Sequence, residues 1–173
     1  MAVDLRSFIR AIPDFPRPGI LFRDITPLLA DAAALQSAID GLAGCVAAPD
    51  VDLVIGAEAR GFILGPALAV RLGAGFVPAR KPGRLPYEAV SASYELEYAD
   101  ATLELHTDPV LDGFDVLVHD DLLATGGTAA ALCELVTRLG GNVVGAVFLI
   151  ELADLGGRSR LTCPVEALIT YGG

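Results

Sequence analysis

This sequence predicts an α/β fold: a mainly parallel, twisted sheet with helices on both faces. Three observations support it. Strand-like and helix-like segments alternate along most of the chain. The strand-like segments Val51 to Gly56, Val116 to Val118 and Asn142 to Leu149 are continuously apolar, as strands buried on both sides are. The charged and glycine-bearing segments come where strands end, and ligands of such sheets bind at the strands' carboxyl ends. With 173 residues, 53% hydrophobic and 20% charged, the chain suits one domain that buries about two thirds of its unfolded surface. No linker, repeat or low-complexity stretch divides it.

The elements can be read in order. Val3 to Ile12 reads as a short helix ended by Pro13. The proline-rich passage Pro13 to Pro27 cannot be regular helix, and Phe15 and Phe22 within it need a surface to cover. Asp31 caps a helix running to about Val46. A buried strand (Val51 to Gly56), a helix (Gly61 to Leu72) and a strand (Phe76 to Ala79) follow, and then a loop from Lys81 to Val90. Ser91 to Tyr98 and Ala101 to Leu105 alternate as a hairpin over a turn at Ala99-Asp100. Val116 to Val118 is a strand, Ala129 to Leu139 a helix and Asn142 to Leu149 a strand. Gly156 to Leu161 is a short helix and Val165 to Ile169 a last strand.

The apolar runs are too short to span a bilayer, and Asp4, Arg6 and Arg10 interrupt the amino terminus, so no membrane association is expected. Cys45, Cys133 and Cys163 are odd in number and lack metal-ligand spacing. Reduced, mostly buried thiols in a cytoplasmic protein are expected. A net charge of −10 argues against nucleic acid as a partner. Yet Arg60, Arg80, Lys81 and Arg84 lie close in sequence, and Lys81 is the only lysine. One cationic patch on an acidic chain suits a small polyanion held at one point.

The most informative segment runs from Val116 to Thr128. An apolar strand leads into Asp120 and Asp121, then into Thr125-Gly126-Gly127-Thr128 at the start of a helix. Glycines at 126 and 127 let the backbone turn so that successive N–H groups converge at a helix amino terminus, an anion-binding nest. The hydroxyls of Thr125 and Thr128 can donate to phosphate oxygens. Two carboxylates a few residues away can accept from the neighbouring hydroxyls of a sugar. Together they describe a sugar-phosphate site. Because adjacent residues on an extended strand point to opposite faces, at least one of the acids is expected where the strand has ended.

That segment resembles the phosphoribosyl-diphosphate (PRPP) signature of type I phosphoribosyltransferases. The passage Phe15 to Leu29 resembles the amino-terminal hood of the adenine phosphoribosyltransferase family. Gly56 to Phe62 resembles its pyrophosphate loop, and Arg80 to Pro86 and Ser93 to Tyr98 follow in the family's order. The similarity covers essentially the whole chain. It implies a single type I phosphoribosyltransferase domain over 1–173, with a hood at about 1–30 and a hairpin lid at about 82–102. It further implies transfer of phosphoribose from PRPP to adenine, giving AMP and diphosphate in purine salvage.

The resemblance also implies roles. Asp120, Asp121, Leu123, Ala124, Thr125, Gly126, Gly127 and Thr128 would bind PRPP and AMP. Glu58, Ala59, Arg60, Arg80, Lys81 and Arg84 would surround the diphosphate, and Leu21, Phe22 and Arg23 the adenine. Glu97, Asp121 and Arg60 would be catalytic: Glu97 exchanges a proton with the base, Asp121 steadies the developing ribosyl cation and Arg60 receives the leaving group. Tyr98 would belong to the lid. Mg2+ would be held through the substrate, with Asp120 and Asp121 reaching it by way of water. A homodimer is implied, with the hood or the Arg80 region near the partner.

On residues alone, Glu95 and Glu97 are polar positions on an alternating strand, and Arg60 is a cation at a helix amino terminus, where the dipole makes an anion desirable. The chain has no lysine after position 81, whereas 6-oxopurine enzymes of the class typically place one near the purine oxygen in that half. PRPP-sensing regulators with a similar fold carry a basic winged-helix segment, for which the first 30 residues are too few. A transferase acting on xanthine or a pyrimidine is a further alternative. His119 stands where the signature usually has an aliphatic residue, and reads as a core histidine beside two acids. Glu58-Ala59 and Tyr87-Glu88 also depart from the family's usual residues.

Overall fold

The computed structural model describes residues 3–48, 50–96, 99–108 and 111–172, with backbone alone at 95–96 and 99–100. A 3-10 turn (Leu5–Phe8) precedes strand Arg10–Pro13 (β1), which pairs antiparallel with Leu21–Asp24 (β2). Helices Thr26–Ala30 (α1) and Ala32–Gly44 (α2) lead to strand Leu53–Ala57 (β3), helix Gly61–Leu72 (α3) and strand Gly75–Ala79 (β4). A hairpin of Ala89–Leu96 (β5) and Ala99–His106 (β6) comes next. Strand Asp115–Leu123 (β7), helix Gly127–Arg138 (α4) and strand Asn142–Leu152 (β8) then follow. Two 3-10 turns, Ala153–Leu155 and Gly157–Arg160, precede strand Val165–Tyr171 (β9).

The central sheet has the order β4-β3-β7-β8-β9, with every neighbouring pair parallel. Period-two alternation sorts its side chains into two cores. Val54, Leu117, Val147 and Leu149 face α2 and α3, where Leu42, Leu64 and Leu68 are fully buried. Ile55, Val118 and Phe148 face α4 and the hairpin, meeting Leu132, Leu135, Leu103 and Leu105. Each such side chain contributes about 1.5–3 kcal/mol on burial. Local chemistry agrees with the packing: the Asp31 carboxylate accepts from the Ala34 amide at 2.8 Å to start α2, and α3 stops at Gly73 with φ 72°.

The strand order places the site. From β3 the chain goes to β4 on one side, then returns to β7 on the other. Connections leaving β3 and β7 therefore diverge, α3 to one face and α4 to the opposite one. The crevice between their carboxyl ends is the topological switch point where open α/β sheets bind ligands.

Several expected elements differ. Val3 to Ile12 is not a helix: it splits into the 3-10 turn and β1, and Pro13 ends a strand. Pairing with β2, distant in sequence, overrides local helical spacing. Part of the proline-rich passage is regular, since Leu21–Asp24 is a strand and Thr26 opens α1. Ala99 and Asp100 are not the hairpin turn but the first residues of β6, paired with Leu96 and Glu95. Strand β7 continues five residues beyond Val118, through both acids to Leu123, so neither acid lies past the strand's end. Helix α4 begins two residues earlier than Ala129. Cys45, Cys133 and Cys163 are free thiols, but half-buried rather than buried. No helix among the described residues is long and apolar enough to cross a membrane.

Candidate active site

Three connections meet at the switch point. The first is the turn after β3. Arg60, the residue before α3, extends one guanidinium nitrogen to 2.5 Å from Asp121 Oδ2, and its Cζ lies 5.0 Å from the centre of the Phe22 ring. The anion that a cation at this helix start calls for is thus supplied by the protein itself. Asp121 is 2% exposed. Burial pushes its carboxyl up, and Arg60 opposes that shift.

Asp120 lies on the strand's other face and lines a small cavity with Leu122 to Ala129 and Phe148. Its Oδ1 accepts from the Asp121 amide at 2.9 Å. Burial, and then the Asp121 carboxylate, push its carboxyl well above the ordinary range. Both carboxyls are shifted upward by burial, and Arg60 opposes the shift by direct contact at Asp121. Beside them His119 is fully buried, its Nδ1 3.0 Å from the Val147 carbonyl. Burial lowers it to about 4, so the ring is neutral. Its Nε2 has no hydrogen-bond partner, which the expected core histidine would have had.

The second connection is Ala124 to Thr128. Gly126 has φ 83° and precedes α4 directly, so the first amides of the helix turn into the cavity. The loop rests on Gly157: a Cβ on Gly126 would lie 2.4 Å from the Gly157 carbonyl oxygen, and one on Gly157 would lie 2.3 Å from that of Ala124. Only two glycines permit this contact. The Thr128 hydroxyl lies 3.3 Å from Tyr94 Oη on β5, a partner the sequence did not indicate. Leu123 is 1% exposed and belongs to the core, leaving only its backbone for a ligand.

The third connection is β2. Leu21, Phe22 and Arg23 line a cavity of about 740 Å³ together with Arg60, Leu122, Ala124 and Thr125. Phe22 meets Phe15 edge to face at 5.1 Å between ring centres. Arg23 stacks on Tyr171, its Cζ 3.7 Å from the ring centre. Leu122, Leu152, Leu155 and Tyr171 complete the wall. Sequence reading missed them, and three come from the far end of the chain. Their signal was limited to apolar residues just past a strand's carboxyl end.

Arg80, Lys81 and Arg84 gather nearby but line neither cavity. Glu58 organises them: its carboxylate accepts from Arg80 Nε at 3.3 Å and from the Lys81 amide at 3.0 Å. Those bonds, the Lys81 amide foremost, hold the carboxyl below its ordinary value. Glu58 and Ala59 are joined by a cis peptide. Glu97 and Tyr98 lie outside the described residues.

A cavity of about 740 Å³ that shares Leu122, Ala124 and Thr125 with a smaller one at the glycine loop, beside Asp120, has the geometry of a nucleotide site. Residues 27–163 match the phosphoribosyl transferase domain family. The adenine phosphoribosyltransferase of Rubrobacter xylanophilus is 55% identical over 169 residues, covering 96% of this chain and 91% of the relative. This chain belongs to the adenine phosphoribosyltransferase family. The adenine phosphoribosyltransferase of Thermotoga neapolitana is 54% identical over 170 residues, 98% of this chain and 100% of the relative. Among solved structures, that of Thermoanaerobacter pseudethanolicus superposes with a TM-score of 0.94 at 50% identity, covering 97% and 98% of the two chains. The Saccharomyces cerevisiae enzyme, solved with an imino-altritol bisphosphate and adenine, superposes with 0.88 at 41% identity over 94% of each chain. The chain therefore has the type I phosphoribosyltransferase fold of the adenine phosphoribosyltransferase family.

Proposed function

We infer that this chain transfers the phosphoribosyl group of PRPP to adenine, forming AMP and diphosphate in purine salvage. The observation that carries this reading is the shared wall of the two cavities. Leu122, Ala124 and Thr125 border both the phosphate loop and the pocket of Leu21, Phe22 and Arg23. A base and a 5-phosphate bound there lie on either side of that wall, and the ribose between them lies beside Asp120.

Each residue then has a task. The amides of 126 to 128 and the Thr125 hydroxyl hold the 5-phosphate. Asp121, paired with Arg60, and Asp120 accept from the ribose hydroxyls, and the Asp121 carboxylate favours the cationic ribosyl carbon that forms as the bond to diphosphate breaks. Phe22 and the aliphatic wall cover the adenine ring. Arg80, Lys81 and Arg84, gathered by Glu58, provide positive charge for the departing diphosphate. Glu97 and Tyr98 belong to the hairpin that excludes water, Glu97 exchanging the proton of the base.

Mg2+ fits this donor set as a substrate-bound ion. Asp120 and Asp121 are hard oxygen donors, and Asp120 lines the cavity that opens on the phosphate loop. The ion would neutralise charge on the diphosphate. We also assign the protein to the cytoplasm, as one domain over 1–173 acting as a homodimer. The exposed side of α3 supports the dimer: Ile63 and Val70 are 45% and 81% exposed, an apolar stripe that the described residues leave uncovered. Val70→Glu should halve the mass measured by sedimentation if that stripe is the interface.

The deciding assay supplies PRPP and Mg2+ with adenine, hypoxanthine, xanthine or a pyrimidine, and follows nucleotide and diphosphate. AMP formation from adenine is expected. Product from the other bases alone would overturn the assignment.

A further inference from the structure

Glu151, the second-last residue of β8, is 6% exposed, yet none of the tasks above uses it. Its carboxylate is engaged by one edge of a guanidinium: Arg158 Nε donates to Oε1 at 2.9 Å and a terminal nitrogen to Oε2 at 2.8 Å. The remaining terminal nitrogen of Arg158 donates to the Val165 carbonyl at the start of β9. Arg158 is thereby fixed to two strands of the central sheet. A forked ion pair with a buried carboxylate allows little rotation.

The residue before Arg158 is Gly157, whose backbone lies against Ala124 and Gly126 with no room for a Cβ on either glycine. Glu151 itself is in register with Leu123, the last residue of β7 before the loop. The contacts close a ring from the end of β7 across to Glu151, on to Arg158, back one residue to Gly157, and up against the loop. Gly126 has a backbone conformation that is not self-enforcing, because glycine populates many others. Something outside the loop must fix it.

We propose that Arg158, anchored by Glu151, is a positioning residue that holds the phosphate-binding loop in shape through Gly157, without touching substrate. This rests on the functional reading above. A 5-phosphate is bound equally in ground and transition states. Misplacing its amides therefore raises KM for PRPP far more than it lowers kcat.

The test uses Arg158→Lys, which keeps the charge but loses the fork, with Arg158→Ala and Glu151→Gln. KM for each substrate and kcat are measured on folded protein, with calorimetric binding of ribose 5-phosphate as a readout independent of turnover. KM for PRPP should rise roughly tenfold or more, and ribose 5-phosphate binding should weaken in parallel. KM for adenine should stay within about twofold. A purely structural pair would lower the melting temperature and leave these ratios unmoved. That result, or an equal rise in both KM values, overturns the proposal. If Arg158→Ala does not fold, Arg158→Lys and Glu151→Gln decide. Wild-type enzyme assayed alongside separates the two readings. Failure to make AMP sinks the function, whereas an active wild type with indifferent variants sinks only this proposal.

Discussion

The glycine loop at 124–128 and the cationic segment at 80–84, the two proposed anion sites, are built in opposite ways. The loop sits between central strands and binds with backbone amides, so its shape depends on backbone packing: Gly157 beneath, Asp120 and Asp121 before, α4 behind. The segment lies past an edge strand and offers long side chains, two of which, Lys81 and Arg84, are exposed. Its order comes from two carboxylates, Glu58 and Glu104, and from the backbone bridge between Arg80 and Glu104. The first arrangement gives fixed geometry in a low dielectric. The second gives charge that can follow a leaving group but is screened by salt.

Substitutions can break or sharpen that contrast. The largest effect is expected from Asp121→Asn, which leaves Arg60 without its anion and removes charge beside the ribose. The loss in kcat should be about 10²- to 10³-fold, measured by initial rates, and unchanged turnover would remove the role assigned to this acid. Gly126→Ala comes next, because its Cβ has no room and its φ is left-handed. Roughly 10²-fold in kcat/KM for PRPP should go, at a stability cost of about 1–3 kcal/mol read by thermal denaturation. Arg80→Ala should cost only about tenfold, and the deficit should shrink as ionic strength rises. A deficit independent of salt would mean the segment is as rigid as the loop.

The smallest effect on activity is expected at His119, buried beside the site but aimed at a backbone carbonyl. Its value falls from 6.5 to about 4 on burial. The unfolded chain therefore takes up a proton before the folded one does. Stability from this group is complete above pH 6.5 and is lost as pH falls toward 4. His119→Leu should flatten that part of the acid limb in denaturation curves while kcat changes by no more than about twofold.

The contrast also explains what was legible. The loop and its acids could be read because their chemistry is contiguous: strand, acids, glycines and helix occur within 13 residues, Val116 to Thr128. The parallel character of the sheet was legible through its continuously apolar strands, but the order of those strands was not. The hood was not, because β1 is held by β2 rather than by its own spacing, and a ten-residue stretch with helical periodicity became a 3-10 turn and a strand. The wall formed by Leu152, Leu155 and Tyr171 was equally hidden, since only folding brings the chain's end to Phe22 and Arg23. The Arg60–Asp121 pair was half legible: the cation's need for an anion could be read, but not that the protein would provide it.

Two adjacent acids, of which only Asp121 has a guanidinium partner, make occupancy and acidity interdependent. Burial and the neighbouring carboxylate make Asp120 the readier to carry a hydrogen ion, which a sugar diol, donating its own, must displace. Saturating a weakly buffered sample with ribose 5-phosphate should therefore acidify the medium, and the apparent affinity should climb as the solution is made more alkaline.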